Sequence, residues 1–330
     1  MTTKSMKNTW IGRDYKKGDE VQILDLFEKV FGKKMTLDFW KWRFIENPFG
    51  RGIIKLLFDN DLLIGHYAVM PIVVQVKNTL VKAIFSMTTM THPNYQGQGI
   101  FTYLTKETYR EAQRREFKFV YGFPNKNSHY GFVKKLDWKD LGKMTILYKE
   151  IKGDSFNTAP ESDNVYEIRN FGKDIDLLWN KIKKNYCVIV PRTKGFLNWR
   201  FIQNPEANYK IYSIKSEGKI LGYIVLKIYK RENEEIGHIV DVLGLNKSIV
   251  EKLLQVSYCY FFENNVKKIS CWMQDSYSYS VIMKKEGFIR KDPNVETYFG
   301  VKILNERVNF LKELEYFNNW YLTMSDSDIF

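Results

Sequence analysis

Cysteine is scarce in this chain: Cys187, Cys259 and Cys271 are the only three in 330 residues. Their wide spacing fits neither a zinc-ligand set nor a disulfide framework, and reads as buried thiols in a reducing cytoplasm. Long apolar runs are missing as well. The most apolar stretch, 56–76, is broken by Asp59, Asn60, Asp61 and His66, so it lacks the roughly 20 apolar residues of a membrane span. The first twenty residues are polar and mixed in charge, without the apolar core of a secretion signal. A cytoplasmic protein with no stable membrane insertion is expected. Runs of one charge sign are also absent. The net charge is +13, yet no basic run exceeds two residues, and acids interleave in Lys230-Arg231-Glu232-Asn233-Glu234-Glu235. Nucleic acid is therefore not the expected partner; attraction of small phosphorylated ligands accounts for the same charge.

Aromatic residues are plentiful, at 16% of the chain, enough for well-filled cores. The length is comfortable for two domains, and an internal repeat supports that number. Trp42-Arg43-Phe44-Ile45-Glu46-Asn47-Pro48 recurs as Trp199-Arg200-Phe201-Ile202-Gln203-Asn204-Pro205, with six of seven residues shared. Each copy follows a helical stretch with an aromatic at one offset, Phe39 or Phe196. Each precedes a strand, a turn and a second strand: 52–58 and 62–70 in one copy, 209–215 and 219–229 in the other. Each ends alike, at Lys134-Lys135-Leu136-Asp137-Trp138 and Lys284-Lys285-Glu286-Gly287-Phe288, after an apolar strand (117–123 and 267–273). The reading is two similar units, 1–152 and 153–330, with the polar, turn-rich stretch 153–164 as linker. Hairpins plus one strand–turn–helix–strand crossover predict an α/β (α+β) class, each unit a mixed, largely antiparallel twisted sheet flanked by helices.

The first unit carries one distinctive turn. A long strand, 83–91, leads through His92-Pro93-Asn94-Tyr95 into Gln96-Gly97-Gln98-Gly99, and a helix follows from Ile100 to about Arg115. Glycines at such a junction let backbone N–H groups turn inward, and the helix N-terminus adds partial positive charge. Together they suit a pyrophosphate. The matching stretch of the second unit, Asp241-Val242-Leu243-Gly244-Leu245-Asn246-Lys247-Ser248, has no Gly-x-Gly turn.

The run Thr89-Met90-Thr91-His92-Pro93-Asn94-Tyr95-Gln96-Gly97-Gln98-Gly99-Ile100 resembles motif A of the GNAT (Gcn5-related N-acyltransferase) superfamily. Gln96 and Gly99 match that motif, whereas Phe101 stands where Gly or Ala is usual. With the repeat counted, the chain looks like a tandem GNAT over nearly its whole length. The resemblance implies acyl-CoA as co-substrate and no metal. Backbone groups of Met90 and Thr91 would hold the pantetheine arm, and the N–H groups of Gln96, Gly97, Gln98, Gly99, Ile100 and Phe101 the pyrophosphate. Asn125 or Asn127 would meet the pantetheine near the thioester, and Lys126 or Arg110 the 3′-phosphate. Only the first unit is expected to bind CoA; the second would be a degenerate copy shaping the acceptor side.

The proton-transfer group is less defined. Many GNATs place an acidic Tyr where Val133 stands here. His129, four residues earlier, shares its helical face, and an imidazole is the side chain intrinsically suited to proton transfer near neutral pH. His238 and Asp241 are further candidates; three apart on one strand, they should point to opposite faces. His66 and His92 read as structural. Arg43 and Arg200 do too, because both copies keep them while only one keeps the loop.

The Trp-Arg-Phe element, the run Phe123-Pro124-Asn125-Lys126-Asn127-Ser128 and the tail Met324-Ser325-Asp326-Ser327-Asp328 look similar to bacterial acyltransferases of surface-polysaccharide synthesis. That resemblance implies N-acylation of a nucleotide-linked amino sugar, such as a dTDP- or UDP-linked amino deoxysugar, by direct attack of the amine on the thioester. A homodimer is compatible with it. Two alternatives stay open: a Fem-like aminoacyl transferase of peptidoglycan precursors, and a non-catalytic CoA-binding module.

Overall fold

The computed structural model describes residues 10–151, 164–231, 234–291, 296–305 and 309–330. The first nine residues and nearly all of the stretch read as a linker (153–163) lie outside them. The chain divides into two compact units. Unit 1 comprises Met1–Val74, Leu80–Gly142 and Thr297–Glu315; unit 2 comprises Gln75–Thr79, Lys143–Glu296 and Tyr316–Phe330.

Unit 1 is built, in chain order, from β1 (Trp10–Asp14), α1 (Glu20–Phe31), α2 (Leu37–Phe44), β2 (Ile53–Asp59), β3 (Leu62–Val76), β4 (Thr79–Thr91), α3 (Ile100–Arg114), β5 (Phe119–Gly122), α4 (Lys126–Tyr130) and β6 (Lys139–Lys143). Unit 2 follows with β7 (Ile146–Glu150), β8 (Val165–Glu167), α5 (Asp174–Ile182), β9 (Val188–Ile189), α6 (Lys194–Leu197), β10 (Lys210–Ser216), β11 (Lys219–Arg231), β12 (Glu234–Gly244), α7 (Lys247–Glu263), β13 (Lys268–Trp272), α8 (Ser278–Lys285) and β14 (Ile289–Arg290). The chain then adds β15 (Tyr298–Ile303).

The sheet of unit 1 runs β1-β2-β3-β4-β5-β15-β6, and that of unit 2 runs β8-β10-β11-β12-β13-β7-β14. The two orders match position by position, and a parallel pair stands at the same place in each, β4 with β5 and β12 with β13. The expected contiguous division at residue 152 is corrected by this topology. The parallel strand β5 takes β15, from beyond residue 297, as its antiparallel neighbour, and β13 takes β7, from before residue 152. A buried strand must pair on both edges, and here a strand from the far end of the chain meets that need.

The core of unit 1 explains the position of α3. Its buried residues include Ile100, Leu104, Thr108 and Ala112, a row at i, i+4 that forms one helical face. That face lies in a cluster with Leu57, Ile64, Ile84 and Val120 of the sheet. Full burial of Ile100 and Leu104 contributes about 1.5–3 kcal/mol each. The helix sits close because β3 offers no side chain beneath it: a Cβ on Gly65 would lie 2.4 Å from Ile100 Cγ2 and 2.9 Å from Leu104 Cδ1. Unit 2 repeats the device, with Gly222 of β11 under Ile249 and Leu253 of α7 at 2.5 and 3.0 Å. Each glycine lies beside a register slip, at Leu57/Phe58 and at Ile214/Lys215.

The Trp-Arg-Phe repeat occupies one structural position in both units. Thr36 caps α2 by accepting from the Phe39 N–H, and Thr193 caps α6 by accepting from the Phe196 N–H. Asn47 then accepts from the Phe49 N–H and Asn204 from the Glu206 N–H, so each copy closes on the same Asx turn. Arg200 donates to the carbonyls of Ser325, Ser327 and Phe330, and Arg43 lies over the Phe39 ring at 4.4 Å.

Candidate functional site

Eight residues, 92–99, separate β4 from α3. Pro93–Tyr95 form a single 3-10 turn, with the His92 ring accepting from the Asn94 N–H at 3.4 Å. Tyr95 moors this turn. Its hydroxyl donates to Asp59 Oδ2 at 3.1 Å, a bond that raises its pKa, and its ring packs on Trp10. Nothing in the sequence pattern marked Tyr95 for this, because its partner sits 36 residues away.

The backbone then turns through Gln96 to Gly97 and Gly99, with φ of +74° and +87°. No atom lies within 4 Å of a Cβ built on either glycine, so conformation rather than crowding requires glycine there. Gly99 is the N-cap of α3. No side chain caps that helix, and no acidic residue stands in its first turn. Gln96 to Gly99 are exposed. A helix N-terminus in this state presents free N–H groups and partial positive charge to solvent, which suits an anion. The Arg residues further along α3 are engaged with its own acids, Arg110 with Glu107 and Arg114 and Arg115 with Glu111.

Phe101, the residue that departs from the motif, is accounted for by Gly131. A Cβ on Gly131 would lie 2.8 Å from the Phe101 ring, which also meets Phe132 edge-on at 5.1 Å between centroids. The ring thus tucks under the segment after α4 and leaves the loop clear.

Beside the loop the sheet opens. Pairing of β4 with β5 ends at Ser86↔Gly122, while β4 continues to Thr91. Thr88 takes φ +49° and turns its carbonyl to His66 Nδ1 at 2.8 Å. Burial pushes the His66 pKa down to about 4, so the ring is neutral and its Nδ1–H donates. Met90 and Thr91 lie on this overhang. Just past β5, Asn125 caps α4: its Oδ1 accepts from the N–H groups of Asn127 and Ser128, both at 3.0 Å. Asn127 is exposed.

His129, also in unit 1, is half-buried. Its Nε2 lies 2.8 Å from Asp140 Oδ2, and its ring stacks on Tyr298 with centroids 3.9 Å apart. The other two proton-transfer candidates lie in unit 2. Their expected orientation on opposite faces is corrected by a slip in β12. There Val225 faces Asp241 and Leu226 faces Ile239, so Val240 is an extra residue. Alternation resets across a bulge, and His238 and Asp241 share a face. Both are buried. His238 Nδ1 is 2.7 Å from Ser270 Oγ, and burial lowers its pKa to about 4. Asp241 is fully buried and binds Arg192, the Tyr223 hydroxyl at 2.7 Å and the Thr323 hydroxyl at 2.9 Å. Arg192 also pairs with Asp326. That network has the character of a structural ion cluster.

Unit 2 differs at the loop position. Only Leu245 and Asn246 separate β12 from α7, and the Asn246 side chain accepts from the Ile249 N–H at 3.0 Å. Among the described residues no His, Cys, Asp and Glu group could hold a metal ion, and no helix is long and apolar enough to cross a membrane.

Residues 12–140 match the family model of the acetyltransferase (GNAT) domain. No curated protein matches the chain. Several solved structures share its fold. A GCN5-related N-acetyltransferase from Anabaena variabilis has a TM-score of 0.69 at 13% identity, over 90% of this chain and 73% of that one. A conserved protein of unknown function from Enterococcus faecalis, a probable N-acyltransferase, has 0.69 at 14%, over 90% and 72%. N-myristoyltransferase of Saccharomyces cerevisiae with bound myristoyl-CoA has 0.64 at 11%, over 91% and 84%. The mixed, twisted sheets flanked by helices are thus GNAT-like in fold, and the match to the GNAT acetyltransferase domain falls in the first half of the chain.

Proposed function

We propose that the chain is an acyl-CoA-dependent N-acyltransferase whose donor site lies in unit 1, at the loop between β4 and α3. The observation that carries this reading is the uncapped start of α3, approached through two glycines of positive φ, with no acid in its first turn. The N–H groups of Gln96 to Phe101 bind the pyrophosphate. The overhanging backbone of Met90 and Thr91 pairs with the amides of the pantetheine arm. Asn125, its oxygen engaged in the α4 cap, offers its amide nitrogen to a ligand carbonyl, and exposed Asn127 stands beside it.

In the reaction a free amine attacks the thioester carbonyl carbon. A C–N bond forms and the C–S bond breaks; the nitrogen gives up one proton and the thiolate takes one. A backbone N–H at the end of β4 stabilises the oxyanion. His129, oriented by Asp140, is the proton-transfer candidate that this reading retains. The burial of His238 and the full coordination of Asp241 support structural roles for both.

The acceptor class we infer is a nucleotide-linked amino sugar in the cytoplasm, for which the net charge of +13 provides attraction. Its support is the sequence resemblance. The test is thiol release from acyl-CoA, with short and long acyl chains, against a panel of dTDP- and UDP-linked amino sugars. Turnover with a sugar of the panel is expected. Donor binding without thiol release for any amine would sink the enzymatic reading.

A further inference from the structure

The parallel pair of unit 2 opens as that of unit 1 does, but its opening is filled. Pairing of β12 with β13 ends at Ile239↔Cys271, and β12 continues to Gly244. The polar backbone of this overhang is bonded to tyrosines. The Tyr321 hydroxyl donates to the Val242 carbonyl at 2.6 Å. The Tyr279 hydroxyl donates to the Gly244 carbonyl at 3.1 Å and accepts from the Gly244 N–H at 3.2 Å. A group that both donates to and accepts from one residue reproduces what a neighbouring strand, or an amide-bearing ligand chain, would supply. The tyrosines are themselves locked. Tyr186 sits edge-on to Tyr321 at 4.9 Å between centroids, Tyr277 at 5.0 Å, and the Tyr186 hydroxyl is 3.3 Å from that of Tyr279. Tyr279 is 7% exposed and Tyr321 fully buried. At the helix, Asn246 supplies the oxygen that an anion would otherwise bring.

We propose that unit 2 holds a second donor-type cleft that the protein keeps permanently closed, with Tyr279, Tyr321 and Asn246 standing in for a ligand. The tyrosine hydroxyls replace the amides of a pantetheine-like arm, and the Asn246 carboxamide replaces the phosphate. The segment that carries Tyr321 is thereby the resident occupant of unit 2. One chain then binds one acyl-CoA, a count that rests on the donor reading of unit 1; the closure itself does not.

The test combines calorimetric titration of the full chain with acetyl-CoA and amide hydrogen exchange. One site per chain is expected. The ligand should slow exchange across 90–101 and leave 240–250 unchanged. Tyr279→Phe removes the acceptor of the Gly244 N–H, so that amide should exchange about tenfold faster, with acetyl-CoA affinity unaltered. Two sites per chain, or ligand protection of 240–250, would overturn the proposal. Unchanged Gly244 exchange in Tyr279→Phe would overturn it as well. Absence of any binding would remove the one-per-chain count together with the donor reading, and Gly244 exchange would then decide the closure alone.

Discussion

The glycine under each long helix supports a paired experiment. Gly65→Ala places a methyl 2.4 Å from Ile100 Cγ2 and 2.9 Å from Leu104 Cδ1, where carbon atoms prefer about 3.5–4.0 Å. Ile100 is the first residue of α3, so relief requires that the helix start lift from the sheet by about 1 Å. Overpacking of this kind destabilises by about 1–3 kcal/mol, a fall in Tm of about 2–12 °C for a unit of this size. Gly222→Ala should destabilise at least as much. Its methyl would meet Ile249 Cγ2 at 2.5 Å and also the Leu243 carbonyl at 2.8 Å, and backbone yields less readily than a side chain. The two should part in binding. Lifting α3 displaces the free N–H groups of its first turn, and losing one charge-assisted bond weakens affinity by about tenfold or more. Lifting α7, whose first turn is capped by Asn246, should leave acetyl-CoA affinity unchanged. Thermal unfolding and calorimetric titration of both variants check this. Ile100→Ala added to Gly65→Ala should cost less than the sum of the two single losses, the departure from additivity expected of residues in contact. A Gly65→Ala protein with wild-type Tm and affinity would falsify the packing argument, as would a Gly222→Ala protein with equally weakened donor binding.

Three further outcomes follow from the same geometry. His66 and His238 have folded pKa values near 4, below the unfolded value of about 6.5. The unfolded chain therefore binds more protons between these limits, and stability should fall as pH drops from about 6.5 to 4, by up to roughly 3 kcal/mol for each histidine. Denaturant unfolding across that range should show the slope, and His66→Gln, which keeps an N–H for the Thr88 carbonyl, should flatten it. Asp241→Asn breaks a buried ion cluster and should destabilise unit 2 by about 3–5 kcal/mol; loss of turnover at wild-type stability would instead mark Asp241 as a catalytic base. Gly131→Ala crowds the Phe101 ring at 2.8 Å and should weaken acetyl-CoA binding severalfold in titration, with Phe101→Leu restoring it; an unaffected Kd would detach Phe101 from the loop.

How much of this was legible in the sequence depended on whether a feature is written in residue type or in pairing. The Trp-Arg-Phe repeat was legible because its members have fixed local tasks. The repeat extends beyond those seven residues: Thr36 and Thr193 cap the same turn in both copies, and Gly65 and Gly222 each stand fourth in their strands. The loop was legible for a related reason. Positive φ at Gly97 and Gly99 admits few other residues, so conformation left its mark on composition. Strand exchange left none. The choice of β15 beside β5 joins residues about 180 apart, and a strand sequence does not name its neighbour. The slip at Val240 was equally silent, and it inverted the facing of His238 and Asp241, because one extra residue exchanges the two faces of a strand.

The same distinction separates residue type from role. Asp241 and His238 are ionisable groups on one strand of the second unit, which is what makes them candidates in the sequence. Their partners, Arg192 and Tyr223 for one and Ser270 for the other, are what turn them into structure. Asn246 is the converse case. An asparagine before a helix is an ordinary cap, and its meaning comes from contrast with α3, where the corresponding turn has glycine and no cap. An open helix end leaves free N–H groups for a ligand, and a capped one has already satisfied part of that need. The two units share a sheet order and differ at that turn, so donor binding should follow the turn rather than the fold.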